Sequence, residues 1–255
     1  MRIVLKIGGN EIDDPGFLSK VTSLIGRLQK ENHHVIVIHG GGKEITALLE
    51  KLGIETKFVD GLRYTDAGSL AAVEMMLSGS INKRLVRTLL QAGVSALGVS
   101  GIDGKILVAE KITRDGKDIG LVGEVSAVNI SVLESLMRNF VVVLSPISTD
   151  KISGGALNVN ADYAAAAVAS FLGAELIIFL SNVPGVISAG NVLPRMQQKD
   201  FDELRKSGVI TGGMVPKIEA ALRALKDGAK IAFITDADGT EQIVSGANAG
   251  TQVVV

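Results

Sequence analysis

The stretch Val35-Ile36-Val37-Ile38-His39-Gly40-Gly41-Gly42-Lys43-Glu44 decides the fold of this chain. Its run of four β-branched residues predicts a parallel strand that is buried on both faces, and the residues that follow, up to Lys51, have a helical period. Between the strand and the helix, three glycines let backbone N–H groups close on an anion, and the helix N-terminus adds partial positive charge. The stretch predicts an anion-binding turn, with a tight strand-to-helix turn that binds nothing as the alternative.

A second copy of this design stands at the N-terminus. The segment Arg2-Ile3-Val4-Leu5-Lys6-Ile7-Gly8-Gly9-Asn10 is again an apolar strand that runs into glycines. Lys6 lies inside the apolar run, where an ammonium group is costly to bury unless it meets an anion or opens into a cleft. Open α/β sheets bind ligands at the carboxyl ends of their strands. We therefore expect the two glycine turns to line one crevice.

Strands and helices alternate through the rest of the chain, which predicts an α/β fold. The expected architecture is a three-layer αβα sandwich around a mainly parallel, open sheet. The 255 residues suffice for two lobes that share this sheet. We place the boundary near Leu172–Gly173, which gives an N-terminal lobe of residues 1–172 and a smaller C-terminal lobe of residues 173–255.

Two Asp-Gly pairs indicate turns between short strands. Asp60-Gly61 lies within Glu55–Asp66, which predicts a hairpin or an extended loop. Asp103-Gly104 predicts a short hairpin that ends near Lys111. A polar loop is expected over Arg114–Gly120.

Composition excludes several kinds of function. The chain has 26 basic and 27 acidic residues, a balance that argues against nucleic acid or a membrane surface as the main partner. It has no cysteine, which excludes disulfides, thiolate metal sites and thiol catalysis. We expect no signal peptide and no membrane span, and hence a cytoplasmic protein. The adjacent His33 and His34 cannot share one face of a helix or strand, so they predict a surface turn rather than a metal site.

Three polar residues in apolar surroundings are candidates for chemistry. Lys6 lies in a strand, Asp162 begins a helix of small residues, and Lys217 stands at a helix start beside glycines. A carboxylate between two lysines would hold both ammonium groups ready for a highly charged ligand. The phosphate-binding G-x-x-x-x-G-K-[S/T] and G-x-G-x-x-G patterns are absent from the sequence. Spacing alone does not bring the three residues together.

Five motifs in order resemble the amino-acid kinase superfamily over essentially the full chain, and the last three resemble its acetylglutamate branch. The motifs are Lys6-Ile7-Gly8-Gly9, His39-Gly40-Gly41-Gly42, Asp60-Gly61-Leu62-Arg63, Leu157-Asn158-Val159-Asn160-Ala161-Asp162 and Gly212-Gly213-Met214-Val215-Pro216-Lys217. The resemblance implies that the side-chain carboxylate of N-acetyl-L-glutamate attacks the γ-phosphate of ATP, as in arginine biosynthesis. Such a carboxylate has a pKa near 4, so it is ionised at pH 7 and needs no general base. Catalysis then consists of positioning and charge neutralisation.

The resemblance also implies roles for individual residues. Lys6 and Lys217 would stabilise the transferring phosphoryl group, and Asp162 would orient them. The phosphoryl oxygens would accept hydrogen bonds from the backbone N–H groups of Gly8, Gly9 and Gly41. The acetylglutamate would be held by Gly41, Gly42, Arg63 and Asn158, with Arg63 forking onto its α-carboxylate.

The resemblance further implies that the N-terminal lobe binds the amino-acid substrate and dimerises, and that the C-terminal lobe binds ATP. The nucleotide would be bordered by Asn182, Val183, Pro184, Gly185, Val186, Ile187, Val209, Ile210 and Thr211. We expect Mg²⁺ to arrive on ATP, held mostly by phosphates and water, with no metal site built by the protein.

Two departures from the family pattern keep alternatives open. Asn182 stands where the family usually has Asp, and Tyr64 follows Arg63 where a small aliphatic residue is commoner. The Arg-Tyr-Thr run is similar to sister kinases that phosphorylate aminoadipate or glutamate carried on a small protein. A ligand-binding regulator that kept the fold and lost phosphoryl transfer is the other alternative.

A homodimer is expected. The chain shows no extra helix before its first strand, a helix that in the family links dimers into hexamers and accompanies arginine inhibition, so we expect a dimer without that control. The contact is predicted on a helix from Asp66 to about Ser78, which places Leu70, Val73, Glu74 and Leu77 on one face.

Overall fold

The computed structural model describes residues 1–9 and 11–255. The strands are β1 (Arg2–Ile7), β2 (His34–His39), β3 (Phe58–Val59), β4 (Leu62–Arg63), β5 (Ala96–Ser100), β6 (Leu107–Arg114), β7 (Lys117–Val128), β8 (Val141–Ser145), β9 (Ile147–Asp150), β10 (Ala156–Val159), β11 (Leu176–Leu180), β12 (Ile187–Ser188), β13 (Asn191–Val192), β14 (Arg195–Met196), β15 (Ala232–Thr235) and β16 (Thr251–Val253). The α-helices are α1 (Pro15–Lys30), α2 (Gly42–Lys51), α3 (Ala67–Glu74), α4 (Asn82–Gln91), α5 (Ile130–Met137), α6 (Ala161–Leu172), α7 (Gln198–Lys206), α8 (Met214–Lys226) and α9 (Ala237–Val244). Short 3₁₀ helices span Glu11–Asp13 and Asp103–Lys105.

A central sheet organises the described residues. Its order is β14-β16-β15-β11-β1-β2-β8-β5, and every neighbouring pair is parallel except β15 with β16. The two apolar strands that end in glycine turns, β1 and β2, lie side by side near its centre. The prediction of a mainly parallel open sheet is therefore confirmed.

Helices cover both faces of this sheet, so the predicted three-layer sandwich is also confirmed. Buried side chains of α1, α2, α4 and α9 pack with Ile3, Leu5 and Ile7 on one face. Those of α5, α6 and α8 pack with Val4 on the other. This alternation follows from the period of two along a strand. Within the described residues, no helix has the length and apolarity that a bilayer span requires.

A π-helical segment (Met75–Ile81) joins α3 to α4 and makes one long helix of the three parts. The predicted cap is present, because the Asp66 side chain accepts a hydrogen bond from the Ser69 N–H. The sequence predicted one helix to about Ser78 and a second over Ile81–Gln91; the second is present as α4, but the two are continuous through the π-helical segment. Such π-turns are frequent near functional sites.

The predicted dimer face on this helix is wrong. Leu70, Val73 and Leu77 are buried inside the chain itself, and Val73 and Leu77 belong to the core on one face of the sheet. The outward side carries Met75, which is 61% exposed.

A small barrel beside the sheet was not predicted. Strands β6, β7, β9 and β10 close on one another in the order β10-β7-β6-β9. The polar loop predicted over Arg114–Gly120 is wrong, because β6 and β7 run through most of it and turn at Asp115-Gly116. Both turn residues have positive φ (48° and 73°), the conformation that Asp-Gly favours in a two-residue hairpin. Asp103-Gly104 lies in a 3₁₀ turn and makes no hairpin.

Candidate active site

Lys6 points to the α6 side of the sheet, because it shares a face of β1 with Val4. Its side chain is buried, and its Nζ atom lies 2.8 Å from Oδ1 of Asp162. The ammonium group therefore has an anionic partner inside the apolar strand, as the sequence required.

Asp162 stands in the first turn of α6, where an acidic residue also complements the helix dipole. The helix starts here because Asn160 caps it, accepting hydrogen bonds from the backbone N–H groups of Asp162 and Tyr163. The second carboxylate oxygen of Asp162 lies 3.7 Å from Nζ of Lys217. The structure thus brings together the three residues that sequence spacing alone could not join.

Lys217 lies in the first turn of α8, next to Pro216, a residue that a first helical turn tolerates. Burial lowers the pKa of its ammonium group, and the nearby charge of Lys6 lowers it further, whereas Asp162 and Glu11 raise it. Glu11 is itself buried, and a Cβ atom added to Gly8 would lie 2.9 Å from its Cδ. Two ammonium groups and two carboxylates therefore share one poorly hydrated region.

The two glycine turns meet, as predicted. A Cβ atom on Gly9 would stand 2.8 Å from the backbone nitrogen of Gly42 and 2.9 Å from Cα of Gly41, closer than real Cβ atoms come to such atoms. Gly41, the N-cap residue of α2, has no side chain with which to cap the helix. Its first N–H groups are therefore available to an anion in the crevice.

Arg63 is buried on the β3–β4 hairpin, which matches the hairpin predicted around Asp60-Gly61. Its guanidinium group donates hydrogen bonds to the Gly42 carbonyl (3.0 Å), to Thr46 Oγ1 (2.8 Å) and to Thr56 Oγ1 (3.2 Å). It also lies over the Phe58 ring, 4.8 Å from the centroid. Burial lowers its pKa, and none of the partners just named is a carboxylate, so an anionic ligand would find an unneutralised cation here.

Asn158 comes from β10 of the small barrel, so this unpredicted barrel supplies part of the site. Its side-chain Nδ2 donates a 3.1 Å hydrogen bond to Thr65 Oγ1, and Thr65 in turn donates to the Arg63 carbonyl. The amide of Asn158 is thereby fixed relative to the hairpin that carries Arg63.

A cavity of about 210 Å³ collects most of the predicted phosphoryl and substrate residues. The predicted residues that line it are Lys6, Gly9, Gly41, Gly42, Arg63, Asn158 and Asp162. Lys217 reaches the same carboxylate from α8, and Gly8 lies just before Gly9 at the end of β1. The volume is below the usual range for drug-sized ligands, about 300–1,000 Å³, and indicates a small substrate.

The residues predicted to border ATP lie in two other segments. Asn182–Ile187 follows β11, where Val186 is buried and its N–H donates to Thr251 Oγ1. Val209–Thr211 precedes α8, with Ile210 buried and its neighbours exposed. None of these nine residues is among the described residues that line the small cavity.

Sequence reasoning missed several residues of the site. Glu11 resembles a solvated residue of a polar turn, yet it is buried against the first glycine turn. Asn160 caps α6 and lines the cavity, and its Asn-x-Asp spacing before a helix was a cap signal. Phe58 supports Arg63 from a position that looked like an ordinary hairpin residue.

Comparisons with known proteins identify the family of the chain. The amino acid kinase family matches residues 1–236, and the chain therefore belongs to that family. Among its curated relatives, the acetylglutamate kinase of Roseiflexus castenholzii is 43% identical over 238 residues, which are 93% of this chain and 90% of the relative. The acetylglutamate kinase of Geobacillus thermodenitrificans is 42% identical over 88% of this chain and 86% of its own.

A solved structure extends the similarity to three dimensions. The crystal structure of a protein from Streptococcus mutans UA159 has a TM-score of 0.85 and 31% identity, and covers 99% of this chain and 98% of its own. The resemblance to amino-acid kinases that the five motifs predicted is confirmed.

Proposed function

We propose that this protein transfers the γ-phosphoryl group of ATP to the side-chain carboxylate of N-acetyl-L-glutamate, the reaction used in arginine biosynthesis. The observation that carries the proposal is the pair of buried lysines on Asp162, set at the edge of a small cavity that also contains Arg63 and the glycine turns. The similarity to acetylglutamate kinases, at 42–43% identity over most of the chain, supports the same substrate.

In this proposal Arg63 and Asn158 hold the amino-acid substrate. The Arg63 fork pairs with the α-carboxylate, which neutralises the buried cation. Gly41 and Gly42 line the same cavity, and the Gly42 carbonyl accepts a hydrogen bond from Arg63. The reacting carboxylate then faces the glycine turns, where the N–H groups of Gly8, Gly9 and Gly41 receive the phosphoryl oxygens.

The transfer itself requires no general base, because the attacking carboxylate is already ionised at neutral pH. One carboxylate oxygen forms a bond to the γ-phosphorus while the bond to the β–γ bridging oxygen breaks, and ADP leaves. Lys6 and Lys217 stabilise the charge on the equatorial oxygens from fixed positions, as in other phosphoryl-transfer sites. Asp162 holds the Lys6 ammonium group at 2.8 Å and turns its other oxygen toward Lys217, at 3.7 Å.

Mg²⁺ fits this site as a companion of ATP. Both oxygens of Asp162 already face lysines, and no three metal-ligating side chains converge among the residues outside the gap at position 10. Phosphate oxygens and water would therefore supply most of its ligands. When bound, the ion neutralises phosphate charge. Asn182–Ile187 and Val209–Thr211 are proposed to border the nucleotide in the lobe of residues 173–255.

Trapping of the product tests the proposal. Acyl phosphates react with hydroxylamine to give hydroxamates, so the protein is incubated with Mg-ATP, hydroxylamine and each of acetylglutamate, glutamate, aspartate and carrier-linked aminoadipate. We expect hydroxamate chiefly from acetylglutamate, and far less from the Lys217→Ala variant. A signal from carrier-linked aminoadipate alone would favour the sister kinases, and the exposed Tyr64 beside Arg63 is the feature that keeps them in the panel.

Ligand binding without transfer is the remaining alternative. Isothermal titration with acetylglutamate detects binding independently of product. Heat of binding together with absence of hydroxamate from every acid would identify a regulator of the same fold and contradict the proposed activity.

A further inference from the structure

A hydrogen bond joins Tyr163, which follows Asp162, to Glu219, which lies two positions after Lys217. The Tyr163 hydroxyl of α6 donates to Oε2 of Glu219 on α8, at 2.7 Å. The other oxygen of Glu219 accepts from Nη1 of Arg205 on α7, at 2.6 Å. Three helices are therefore linked within one helical turn of the Asp162–Lys217 contact.

The Tyr163 hydroxyl keeps its proton and so remains a hydrogen-bond donor. Burial raises its pKa, and the hydrogen bond to the Glu219 carboxylate raises it further. Because the shift is upward, the hydroxyl stays protonated at every pH at which such a protein is assayed. The ring below it packs against Leu62 and Val122, which both line the substrate cavity. Tyr163 thus contacts the substrate side of the site with its ring and α8 with its hydroxyl.

The Asp162–Lys217 contact is too long to hold α8 in place by itself. At 3.7 Å it exceeds hydrogen-bond distance, whereas the Lys6 contact with the same carboxylate is 2.8 Å. Lys6 also repels Lys217, and the flexible side chain of a lysine does not fix the position of its own ammonium group. Apolar packing joins α6 and α8 along their length, and a directional polar contact at the end that carries Lys217 would fix the position of its ammonium group.

We propose that the Tyr163–Glu219 hydrogen bond is a positioning clamp that holds α8 against α6 and so keeps Lys217 at the phosphoryl-transfer centre. This inference rests on the proposed function. Tyr163 and Glu219 touch no reacting atom, so they act through Lys217. A displacement of a charged group by about 1 Å can cost as much as 10²-fold in rate, which is ample for a clamp to be visible in kcat.

The chain offers a matched control for this clamp. Ser170 also lies on α6. Its hydroxyl donates to the Ala166 carbonyl of its own helix at 2.8 Å and approaches the Ala224 carbonyl of α8 at 3.3 Å, about two helical turns farther from Lys217. Ser170→Ala removes this polar contact between the same two helices without disturbing the end of α8 that carries the lysine.

Kinetics provide the first test. Tyr163→Phe keeps the ring and loses the donor, so kcat for hydroxamate formation should fall about tenfold, with less than a twofold change in KM for acetylglutamate. Glu219→Gln keeps an acceptor for the Tyr163 hydroxyl and should lose less activity than Tyr163→Phe. Ser170→Ala should keep the native kcat. A native kcat in Tyr163→Phe, or an equal loss in Ser170→Ala, overturns the clamp.

The second test needs no substrate. The ammonium groups are labelled by reductive ¹³C-methylation, and the Lys217 signal is assigned by its loss in Lys217→Arg. The charged groups that face Lys217 are Lys6 from β1, Asp162 from α6 and Glu11 from the 3₁₀ turn. In the wild type the pKa of Lys217 should lie below its ordinary 10.5. In Tyr163→Phe it should move back toward that value, because α8 relaxes outward and both burial and the repulsion from Lys6 decrease.

The two tests separate this inference from the proposed function. An unchanged Lys217 pKa in Tyr163→Phe contradicts the clamp even if the enzyme makes hydroxamate. A shifted pKa in a protein that phosphorylates none of the acids supports the clamp and removes the proposed activity.

Discussion

Lys6 on the central strand β1 and Asp162 in the first turn of α6 form an ion pair that is almost completely buried, with 2.8 Å between Nζ and Oδ1. The contact joins the middle layer of the sandwich to the helix layer above it. Losing one partner of such a pair leaves a buried charge without compensation, which costs about 3–5 kcal/mol. Any substitution at either position must therefore be judged on stability and on chemistry separately.

The lysines are expected to act on kcat. Lys6→Ala and Lys217→Ala should each lower kcat by roughly 10²–10³-fold, the scale of losing one preorganised electrostatic stabiliser. Steady-state kinetics on variants shown by circular dichroism to be folded measure this. Lys151→Ala is the matched control, because it removes an exposed lysine that pairs with Glu110 at 2.6 Å. Near-native kcat in both site variants would contradict the assignment.

Arg63 is expected to act on KM. Lysine cannot reproduce a bidentate fork, so Arg63→Lys should raise KM for acetylglutamate at least tenfold while KM for ATP changes little. Arg84→Lys makes the same chemical change at a half-buried arginine that forks onto Glu44, and should leave both KM values near native. If KM for acetylglutamate does not change in Arg63→Lys, the residue does not bind this substrate.

His39 is expected to make stability depend on pH. It is fully buried before the second glycine turn, its Nδ1 lies 3.1 Å from the Gly40 carbonyl, and its Nε2 lies 3.3 Å from the Asn82 amide. A carbonyl only accepts, so Nδ1 carries the proton of the neutral ring. Burial lowers the pKa from 6.5 to about 4. The unfolded chain therefore binds more protons between these values, and stability falls as the pH falls from 6.5 toward 4.

Urea unfolding at pH 8 and pH 5 measures this effect. The wild type should lose about 2 kcal/mol through His39 between the two conditions. His39→Asn should be less stable at pH 8 but lose less on acidification. His34→Asn, at an exposed histidine of the same strand, serves as the control and should retain the wild-type pH dependence. Equal losses in the wild type and in His39→Asn would exclude His39 as the cause.

If the chain has the two lobes that the sequence predicts, ligands are expected to bring them together. The glycine turns belong to residues 1–172 and Lys217 belongs to residues 173–255, and Gly173, with φ of 59°, ends α6 between them. Mg-ADP with acetylglutamate should reduce the radius of gyration more than either ligand alone. Small-angle scattering of a dimer that contracts only with both ligands fits this expectation. An unchanged radius contradicts closure, and a monomer or hexamer contradicts the expected dimer.

The centre of the fold could be predicted because local signals agree there. Four β-branched residues before Gly40 leave little alternative to a buried strand, and the Arg2–Ile7 run repeats the pattern beside it. The barrel could not be predicted from the sequence, because its closure depends on which strands pair with one another. β9 follows Pro146 directly and β7 contains Gly120 and Gly123, so neither shows a simple alternation. Asp103-Gly104 and Asp115-Gly116 lie close together in the sequence, but only Asp115-Gly116 forms a hairpin turn. The sequence that flanks Asp115-Gly116 is polar.

In the candidate site, too, some features follow from the local sequence and others depend on tertiary packing. Burial of Lys6 followed from its strand, and approach of Gly9 to Gly42 followed from the parallel pairing. The meeting of Asp162 with Lys217 links residues far apart in sequence, so it was expected only from the family resemblance. Nothing local distinguishes Tyr163 or Glu219, because their importance arises from the packing of α6 on α8.

The π-helical segment (Met75–Ile81) makes the number of residues between Asp66 and Gln91 matter to the site. Leu77 and Ile81 of this segment press on Gly41, and Asn82 just beyond it reaches His39. Deleting one residue would turn α4 by about 100° and withdraw Asn82 from the strand ends. An insertion or deletion between Asp66 and Gln91 should therefore disturb the strand ends that carry the glycine turn. Substitutions at outward residues such as Ala71 and Met75, which are exposed, should leave this geometry intact.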